Sequence, residues 1–353
     1  MTAQTHGGLR LDELAALGVR ISDVVDFSAS LNVYGPDPEV AAAARAAELL
    51  AYPDPTALPA RRALATRAGV EPDAVVVGAG AAELLWSLAR ALLRPGAVTV
   101  SVEPAFAEWR TAAAATGAAI VAGPGPDLAV DLDAVARAVR TSDARAVYLA
   151  NPGNPGGLAV PADALAAFAR DLAGATVVLD EAFLSLSARH ADADRPLPGN
   201  VVRVRSLTKD HGLAGLRIGY ALAAPALARR IEAERPPWTV SAPAQAAAVA
   251  AAGRDDFVAA CRARLFADRD HLRARLADLG LASLPSDTLY FLVEVGDATA
   301  LRRRLLAHHA VAVRDATSFG LPDHVRVAAR PAADVDRLVR ALAQELPWPR
   351  PPR

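Results

Sequence analysis

Short apolar runs alternate along the first two thirds of the chain with longer segments in which apolar and charged residues recur at helical spacing. The apolar runs predict strands over AVVVG (74–78), AVTVSVE (97–103), AVYLANP (146–152), ATVVLDEAF (175–183), VVRVRSL (201–207) and RIGYALA (217–223). Intervening segments such as AAELLWSLARALL (81–93) predict helices. Strands that are apolar on both faces and separated by helices are typical of a parallel sheet covered on both sides. We therefore expect an α/β fold here.

The pattern changes after ERPPWTVSAPAQ (234–245), a segment with three prolines. A long helical run over 255–280 is followed by a final group of three strand-like segments and one helix. The strand-like segments are YFLVEV (290–295), AVAVRDA (310–316) and HVRVAAR (324–330). We expect an N-terminal segment (1–30) that packs with a smaller α+β domain (236–353), and a large domain between them (31–235).

Composition narrows the class of protein. Apolar residues make up 53% of the 353 residues, the formal net charge is −1, and charges of both signs are interspersed. This balance disfavours nucleic acid or an anionic membrane as a partner. Apolar runs stay below the length of about 18 residues that a membrane span needs. With a single cysteine, Cys261, we predict neither disulfides nor a metal site, and we expect a cytoplasmic protein.

Lys209 is the only lysine among 38 basic residues; the other 37 are arginine. Arginine replaces lysine where only positive charge is needed, but guanidinium does not lose its proton in proteins. A retained lysine therefore indicates a role that needs a deprotonatable amine, such as a Schiff base. Chance survival at the surface is the alternative, and the neighbouring motifs decide between the two.

Two glycine-containing turns follow predicted strands. In VVVGAGAAELL the turn opens a helix, whose first N–H groups at Ala81 and Ala82 would face an anion. In YLANPGNPGG (148–157) the turn is dense in Asn, Pro and Gly. Each turn alone is also compatible with an ordinary loop.

A carboxylate and a group of hydroxyls complete the pattern. Asp180 lies at the end of the apolar run VVLD, where a buried carboxylate needs a cationic partner. Ser206, Thr208 and Arg217 flank Lys209 and would form a phosphate cup beside an amine. An aldehyde with a pyridine nitrogen and a phosphate fits all of these groups. The residues therefore indicate pyridoxal 5′-phosphate, whose protonated ring acts as an electron sink.

At this point the sequence resembles the fold-type I pyridoxal phosphate enzymes, the class I/II aminotransferase superfamily, over nearly its whole length. Within it, the chain is similar to the branch of threonine-phosphate decarboxylases and histidinol-phosphate aminotransferases. The stretches that carry the resemblance are HGG (6–8), DFSASLN (26–32), YPDP (52–55), DEAF (180–183), RSLTK (205–209), PPWTVSAPAQAA (236–247) and VRVAAR (325–330). It implies a mostly parallel seven-stranded sheet between helices, a smaller α+β domain and a homodimer with shared sites.

The resemblance also implies a role for each matching residue. Lys209 would hold the cofactor aldehyde as a Schiff base, and Asp180 would pair with the pyridinium nitrogen. Asn154 would bond the ring 3-oxygen, while Phe106 stacks on the ring. The phosphate would be held by Ala81, Ala82, Ser206, Thr208 and Arg217, and by Tyr52 of the second subunit. Arg326 would grip the substrate carboxylate as a bidentate fork.

Three positions depart from the family pattern. Family members commonly read NPNNPTG where this chain has NPGNPGG (151–157). Gly153 and Gly156 thus replace an Asn and a Thr, whereas Asn154 is kept. Phe183 takes the place of a tyrosine that bonds the ring oxygen in transaminases, and Phe is common there in the decarboxylases. Leu9 follows HGG where the decarboxylases often have Asn.

The resemblance leaves two reactions open. Loss of the Cα proton gives transamination and loss of the carboxylate gives decarboxylation, depending on which bond stands perpendicular to the cofactor ring. A distal clamp of His6, Ser30, Asn32 and Arg314 is expected to hold a substrate phosphate. The leading expectation is decarboxylation of O-phospho-L-threonine to (R)-1-amino-2-propanol phosphate for cobalamin synthesis. The alternatives are an aminotransferase for a substrate such as histidinol phosphate, decarboxylation of a neighbouring substrate such as phosphoserine, and a cofactor-binding scaffold without catalysis.

Overall fold

The computed structural model describes residues 7–123 and 128–346. Within them the chain divides into two compact units. The larger unit comprises Leu31–Asn154 and Leu158–Cys261. The smaller unit comprises the described parts of Met1–Ser30 and Arg262–Arg353 together with Pro155–Gly157. The predicted domain ranges differ from this division mainly at 236–261, which packs with the larger unit, and they stay a prediction.

The strands of the described residues are, in chain order, β1 Val25–Asp26, β2 Val75–Gly78, β3 Val98–Val102, β4 Ala119–Gly123, β5 Ala146–Ala150, β6 Thr176–Asp180, β7 Val201–Arg205, β8 Gly219–Leu222, β9 Tyr290–Glu294, β10 Val311–Ala312, β11 Arg314–Asp315 and β12 His324–Ala328. All six strands predicted before residue 230 are present. The structure adds two that the pattern did not predict, β1 and β4. It also divides the predicted 310–316 run into β10 and β11.

The α-helices of the described residues are α1 Leu11–Ala16, α2 Pro38–Arg45, α3 Leu58–Ala68, α4 Ala81–Leu92, α5 Glu108–Ala115, α6 Leu132–Thr141, α7 Ala162–Asp171, α8 Leu207–Asp210, α9 Pro225–Ala233, α10 Ala242–Ala251, α11 Asp255–Asp278, α12 Ala298–His309 and α13 Ala332–Glu345. Several begin with the expected caps. The Asp131 and Asp297 side chains, for example, accept hydrogen bonds from the first-turn backbone of α6 and α12. Within residues 7–123 and 128–346, every helix is too short or too polar to span a bilayer.

The larger unit is built on a seven-stranded sheet of order β2-β8-β7-β6-β5-β3-β4. All neighbours pair in parallel except β8, which is antiparallel to both β2 and β7. Alternate side chains of one strand enter different cores: Tyr148 packs with helices α4 and α5, whereas Val147 and Leu149 pack with α6 and α7. Both faces of the sheet are therefore covered by helices, which confirms the expected fold-type I architecture.

The smaller unit has its own apolar core around Phe27, Phe291 and Leu338. Strands β9, β12 and β11 form an antiparallel sheet, and β1 pairs in parallel with β10. The N-terminal segment thus joins the C-terminal part of the chain through a strand pair. Arg302 on α12 and Glu13 on α1 add a salt bridge between the same two segments.

Candidate functional site

The carboxyl ends of three adjacent parallel strands bring the main sequence motifs together. Ala150 at the end of β5 lies opposite Asp180 at the end of β6, and Asp180 lies opposite Val204 on β7. The chain continues from these strand ends into the Asn-Pro-Gly turn, the DEAF segment and the lysine turn. Open α/β sheets bind ligands at this edge. The sheet therefore brings three motifs together at one edge, although they are about 30 to 60 residues apart in the sequence.

Asp180 is buried and held by two hydrogen bonds. The Tyr148 hydroxyl donates to Oδ2 at 2.9 Å, and the Ala182 backbone N–H donates to Oδ1 at 3.0 Å. Burial raises the pKa of Asp180, although these bonds and the charge of Lys209 oppose the shift. A cation beside this carboxylate would offset its desolvation. Tyr148, which sequence reasoning missed, is fully buried and stacks on Trp109 with ring centroids 5.8 Å apart.

A second buried acid follows directly. Glu181 accepts hydrogen bonds from Nε of Arg203 and from Nε of Arg205, with distances of 2.8 to 2.9 Å. The two arginines also donate to backbone carbonyls of the 192–195 loop. The end of β6 is therefore tied to β7 by a compensated ionic network, which holds the backbone that carries Asp180. The sequence analysis did not predict this network.

Lys209 lies on the one-turn helix α8 and is half-buried. Its Nζ is 5.5 Å from the centroid of the Phe183 ring, and Phe183 is itself buried. Because Lys209 is also among the charges that act on Asp180, the structure brings three predicted site residues together.

The predicted phosphate end also converges. Ala81 and Ala82 form the first turn of α4, so their N–H groups lie at the positive end of the helix. Gly80 precedes them with φ of 85°, and a Cβ there would lie 2.7 Å from Nη2 of Arg217. The arginine thus closes over the helix start, and a side chain at position 80 would require the guanidinium group to move. Ser206 is buried and begins the lysine turn.

Thr208, Asn154 and Phe106 have the following positions. The Thr208 hydroxyl donates to the Ile218 carbonyl at 3.1 Å and accepts from the Ile218 N–H at 3.3 Å, so it also joins α8 to the start of β8. Asn154 is half-buried in the turn that Asn151 closes through two hydrogen bonds to Val160. Phe106 is half-buried against the apolar core of the larger unit. Their roles stay predictions.

In the smaller unit, Arg314 and Arg326 lie directly opposite each other on β11 and β12. Opposite residues of an antiparallel pair project from the same face, so two like charges are neighbours. Both arginines are buried, and burial lowers both pKa values, that of Arg326 to about 10. Arg326 Nη2 donates to the Ser28 carbonyl at 3.0 Å, and Arg314 Nη2 donates to the Ser318 hydroxyl at 2.8 Å.

The remaining predicted site residues are placed as follows. Ser30 is buried at the end of the N-terminal segment. Tyr52 is 83% exposed and packs beside Trp238 with ring centroids 5.1 Å apart. Asn32 is buried and bonds to backbone atoms around Lys209. His6 lies outside the described residues.

These groups fit pyridoxal phosphate. A buried carboxylate whose pKa is raised by burial suits a protonated ring nitrogen, because the cation would offset the cost of burying the charge. The helix start beside Arg217 suits a phosphate. The amine of Lys209, which lies between Asp180 and Arg217 in the sequence and near Phe183 in space, suits the aldehyde. Chemistry and placement therefore agree for all three parts of the cofactor.

Comparison with known proteins gives the family. A profile for aminotransferase class I and II matches residues 22–342. The chain belongs to this family. Histidinol-phosphate aminotransferase 2 of Pseudomonas fluorescens is 35% identical over 348 residues, which is 96% of this chain and 94% of that protein. Histidinol-phosphate aminotransferase of Sinorhizobium meliloti, solved with pyridoxal 5′-phosphate, is 32% identical with a TM-score of 0.86, covering 98% and 96% of the two chains. This aminotransferase-family chain is a pyridoxal phosphate enzyme.

The expected decarboxylation of O-phospho-L-threonine is wrong, and with it the assignment to a lyase of cobalamin synthesis. Three relatives of this family member, at 34 to 39% identity, are histidinol-phosphate aminotransferases. L-threonine-O-3-phosphate decarboxylase of Porphyromonas gingivalis has 26% identity and a TM-score of 0.76 over 91% of this chain and 99% of that one. The motifs behind the expectation, such as DEAF, are the ones that are predicted to hold the cofactor, and both groups of enzymes use this cofactor.

One set of described residues, His308, His309 and Glu345, has ligand atoms close enough for one metal ion, all within 4.8 Å. Glu345 Oε1 pairs with both imidazoles at 2.8 and 3.0 Å, and Oε2 accepts from Arg304 Nε at 2.9 Å. The hydrogen bond with His308 is the main cause of the lowered pKa of Glu345. An ion-pair cluster accounts for this arrangement, and the expectation of no metal stays a prediction.

The two residues after Lys209 are buried titratable groups whose pKa values are shifted in opposite directions. Burial raises the pKa of Asp210 from 3.8 to about 6, against the opposing charge of Arg67. Burial lowers the pKa of His211 from 6.5 to about 4. Asp210 therefore stabilises the fold fully below about pH 4, and this contribution is lost as pH rises through 6. His211 stabilises it fully above pH 6.5, and that contribution is lost as pH falls through 4.

The two effects should cancel between pH 4 and 6, and single substitutions should expose each of them. In Asp210→Asn, the free energy of unfolding should rise with pH across this range by about 3 kcal/mol more than in the wild type. In His211→Phe it should fall with pH by a similar amount. Urea unfolding at several pH values measures both slopes. Parallel profiles for all three proteins would contradict the assignment.

Proposed function

We propose that this protein is an aminotransferase that takes the amino group of histidinol phosphate and passes it to a 2-oxo acid. The observation that carries the proposal is the pair of buried arginines, Arg314 and Arg326, which face each other across β11 and β12. The similarity to histidinol-phosphate aminotransferases supports the substrate.

Two buried guanidinium groups side by side favour a bound anion, in addition to the charges of Asp315 and Asp26 that act on Arg314 and Arg326. Each loses hydration on burial, and like charges directly opposite on neighbouring strands repel. A substrate phosphate carries close to two negative charges and accepts bidentate hydrogen bonds from arginine. The same pair can receive the carboxylate of an amino acid in the second half of the reaction. One arginine pair can therefore bind both substrates in turn, because each of them has an anionic end.

The residues of the larger unit would supply the chemistry. When bound, pyridoxal phosphate provides the electron sink that makes the substrate Cα proton removable. The Lys209 amine would take the proton from the substrate Cα as a positioned general base and would later act as the general acid that returns it. The Asp180 carboxylate, fixed by Tyr148 and the Ala182 N–H, would keep its charge opposite the ring nitrogen. Ala81, Ala82, Ser206 and Arg217 would hold the phosphate, Asn154 the ring oxygen and Phe106 the ring face.

The chemistry of the proposed substrate decides which bond can break. Histidinol phosphate carries no carboxylate at Cα, so proton loss is the only route open to it.

We also propose a homodimer in which Tyr52 reaches the cofactor phosphate of the second copy. Leu49, Leu50 and Tyr52 are 80%, 96% and 83% exposed, and the neighbouring Trp238 is 48% exposed. Four large apolar side chains at one surface are costly in water and are typical of an interaction site. A second copy of this chain would cover them.

The substrate assignment predicts a strong preference for the phosphorylated compound. With 2-oxoglutarate as acceptor, glutamate should form from L-histidinol phosphate, and kcat/KM for L-histidinol should be lower by two or more orders of magnitude. Arg314→Gln should lower kcat/KM for histidinol phosphate about 10–100-fold, because a charge-assisted hydrogen bond is lost. Its effect on histidinol should be small. A coupled glutamate assay measures all four values.

The matched control is Arg303→Gln, which removes an equal charge from an exposed position of α12. It should leave both substrates unaffected beyond about twofold. Equal rates of the wild type with histidinol and its phosphate would refute the substrate. An unchanged preference in Arg314→Gln would refute the role of the arginine pair.

A further inference from the structure

The one-turn helix α8 that carries Lys209 ends in a buried position, so the carbonyls at its end need partners. Two of them are used locally. The Leu207 carbonyl accepts from the His211 N–H at 3.1 Å, and the Thr208 carbonyl accepts from the Leu213 N–H at 3.0 Å. The next two carbonyls, those of Lys209 and Asp210, point out of the turn.

A single residue from a distant part of the chain donates to both of these carbonyls. The backbone N–H of Asn32 donates to the Lys209 carbonyl at 3.1 Å, and Asn32 Nδ2 donates to the Asp210 carbonyl at 2.8 Å. The two residues bonded by the side chain are 178 positions apart in sequence. Asn32 therefore caps the lysine turn from outside.

The geometry around Asn32 leaves little freedom for another arrangement. Its side chain is 2% exposed, and its Oδ1 accepts from the Tyr34 N–H at 3.0 Å, which directs Nδ2 towards the Asp210 carbonyl. The following Gly35 packs so closely that a Cβ there would lie 2.4 Å from the His211 carbonyl oxygen. The 32–35 segment is thus in direct backbone contact with the turn.

We propose that Asn32 is a positioning residue for Lys209. By fixing the carbonyls of Lys209 and Asp210, it sets the place and direction from which the lysine side chain leaves the backbone. The expectation that Asn32 binds a substrate phosphate is a separate role and stays a prediction. The inference rests on the proposed role of Lys209 as the covalent cofactor ligand.

The consequence for the reaction follows from the length of the lysine side chain. Four flexible methylene groups separate the backbone from Nζ, so only the backbone and the walls of the site determine where the amine lies. A displacement of about 1 Å in a reacting group can cost roughly 100-fold in rate. A fixed turn therefore serves the chemical step more than substrate affinity.

The test compares Asn32→Asp with Asn200→Asp. The aspartate keeps the size of the side chain and its acceptor but replaces the Nδ2 donor with an oxygen. Asn200 is the matched control, because its Nδ2 likewise donates to backbone carbonyls of buried residues. These are the carbonyls of Ala169, Leu172 and Ala175, at and after the end of α7. Both variants lose one amide donor to the backbone, but only one of them lies beside Lys209.

The first readout is amide hydrogen exchange over residues 207–213 in the cofactor-free protein. We expect at least tenfold faster exchange there in Asn32→Asp and no change in Asn200→Asp. The second readout is steady-state kinetics of the loaded enzyme with whichever amino donor the wild type uses. We expect kcat to fall about 10–100-fold in Asn32→Asp, with KM within about twofold of the wild type.

Three results would overturn the proposal. Unchanged exchange and kcat would show that the amide does not hold the turn. A raised KM with unchanged exchange would instead make Asn32 a substrate ligand. Equal loss of kcat in Asn200→Asp at matched thermal stability would reduce the effect to general destabilisation. If Asn32→Asp does not fold, Asn32→Ser is compared in the same way, since it keeps the backbone bond to Lys209. The hydrogen-exchange measurement needs neither cofactor nor substrate, so its result remains valid even if histidinol phosphate is not a substrate.

Discussion

Replacing Lys209 by alanine should abolish covalent attachment of pyridoxal phosphate and leave almost none of the proposed transamination. Proton transfer by a positioned side chain alone contributes roughly 10²–10⁴-fold, and the loss of the amine removes this together with the covalent link. Borohydride reduction of the loaded protein followed by peptide mass spectrometry measures the attachment directly. In the wild type the label should appear on the peptide that contains residue 209.

The composition of the chain makes this a clean experiment, because no second lysine is present to take over. The matched control is Lys209→Arg, which keeps the positive charge and supplies the residue that the other 37 Lys or Arg positions of the chain already have. It should be as inactive as the alanine variant, since guanidinium does not lose its proton. If borohydride treatment still attached the cofactor to either variant, Lys209 would be ruled out as the attachment site.

Replacing Asp180 by asparagine should lower kcat by about 10²–10³-fold while cofactor still binds. The carboxylate is the buried charge that would face the ring nitrogen, and removal of a fixed electrostatic partner has effects of this size. Asparagine keeps the shape of the side chain, so the hydrogen bond from Tyr148 can persist. Single-turnover kinetics with saturating cofactor separate the chemical step from cofactor affinity.

The control for Asp180→Asn is Tyr148→Phe, which removes the hydroxyl that donates to Oδ2 but leaves the charge in place. One hydrogen bond to a charged group is worth about 1.5–3 kcal/mol, so a smaller loss of about 10–100-fold is expected. If Asp180→Asn retained full activity, the carboxylate would not be the partner of the ring nitrogen. If Tyr148→Phe were the more damaging of the two, the hydroxyl itself would take part in the reaction.

Most of the fold could be predicted because the strands of the large sheet are buried on both faces. Strands β2 and β5, for example, are buried at every position and contain no charged residue, so they appear in the sequence as uninterrupted apolar runs. Strand β4 escaped prediction because it lies at the edge of the sheet, where four of its five residues are only half-buried or exposed. The packing of α10 against α2 and α3 is a tertiary contact with no local signal in the sequence, so the pattern near residue 235 does not show it.

The site divides in the same way. Lys209 and Asp180 could be predicted because each is chemically unusual where it stands, as a lone amine and as a carboxylate ending an apolar strand. Tyr148 and Glu181 could not, because their partners lie 22 to 32 residues away and their importance depends on strand register. The register that sets Arg314 opposite Arg326 was likewise invisible. The reaction was mistaken because cofactor motifs are shared by enzymes that break different bonds.

The facing arginines of β11 and β12 also constrain how this chain can change. A substitution that removes one of the two charges relieves the repulsion between them and the cost of burying a charge, but it also removes a hydrogen bond to Ser318 or Ser28. Under the proposed function it weakens the hold on anions as well. A redesign that selects only for heat resistance can therefore remove a residue that the proposed reaction needs, and a thermostable version of this enzyme has to gain its stability elsewhere.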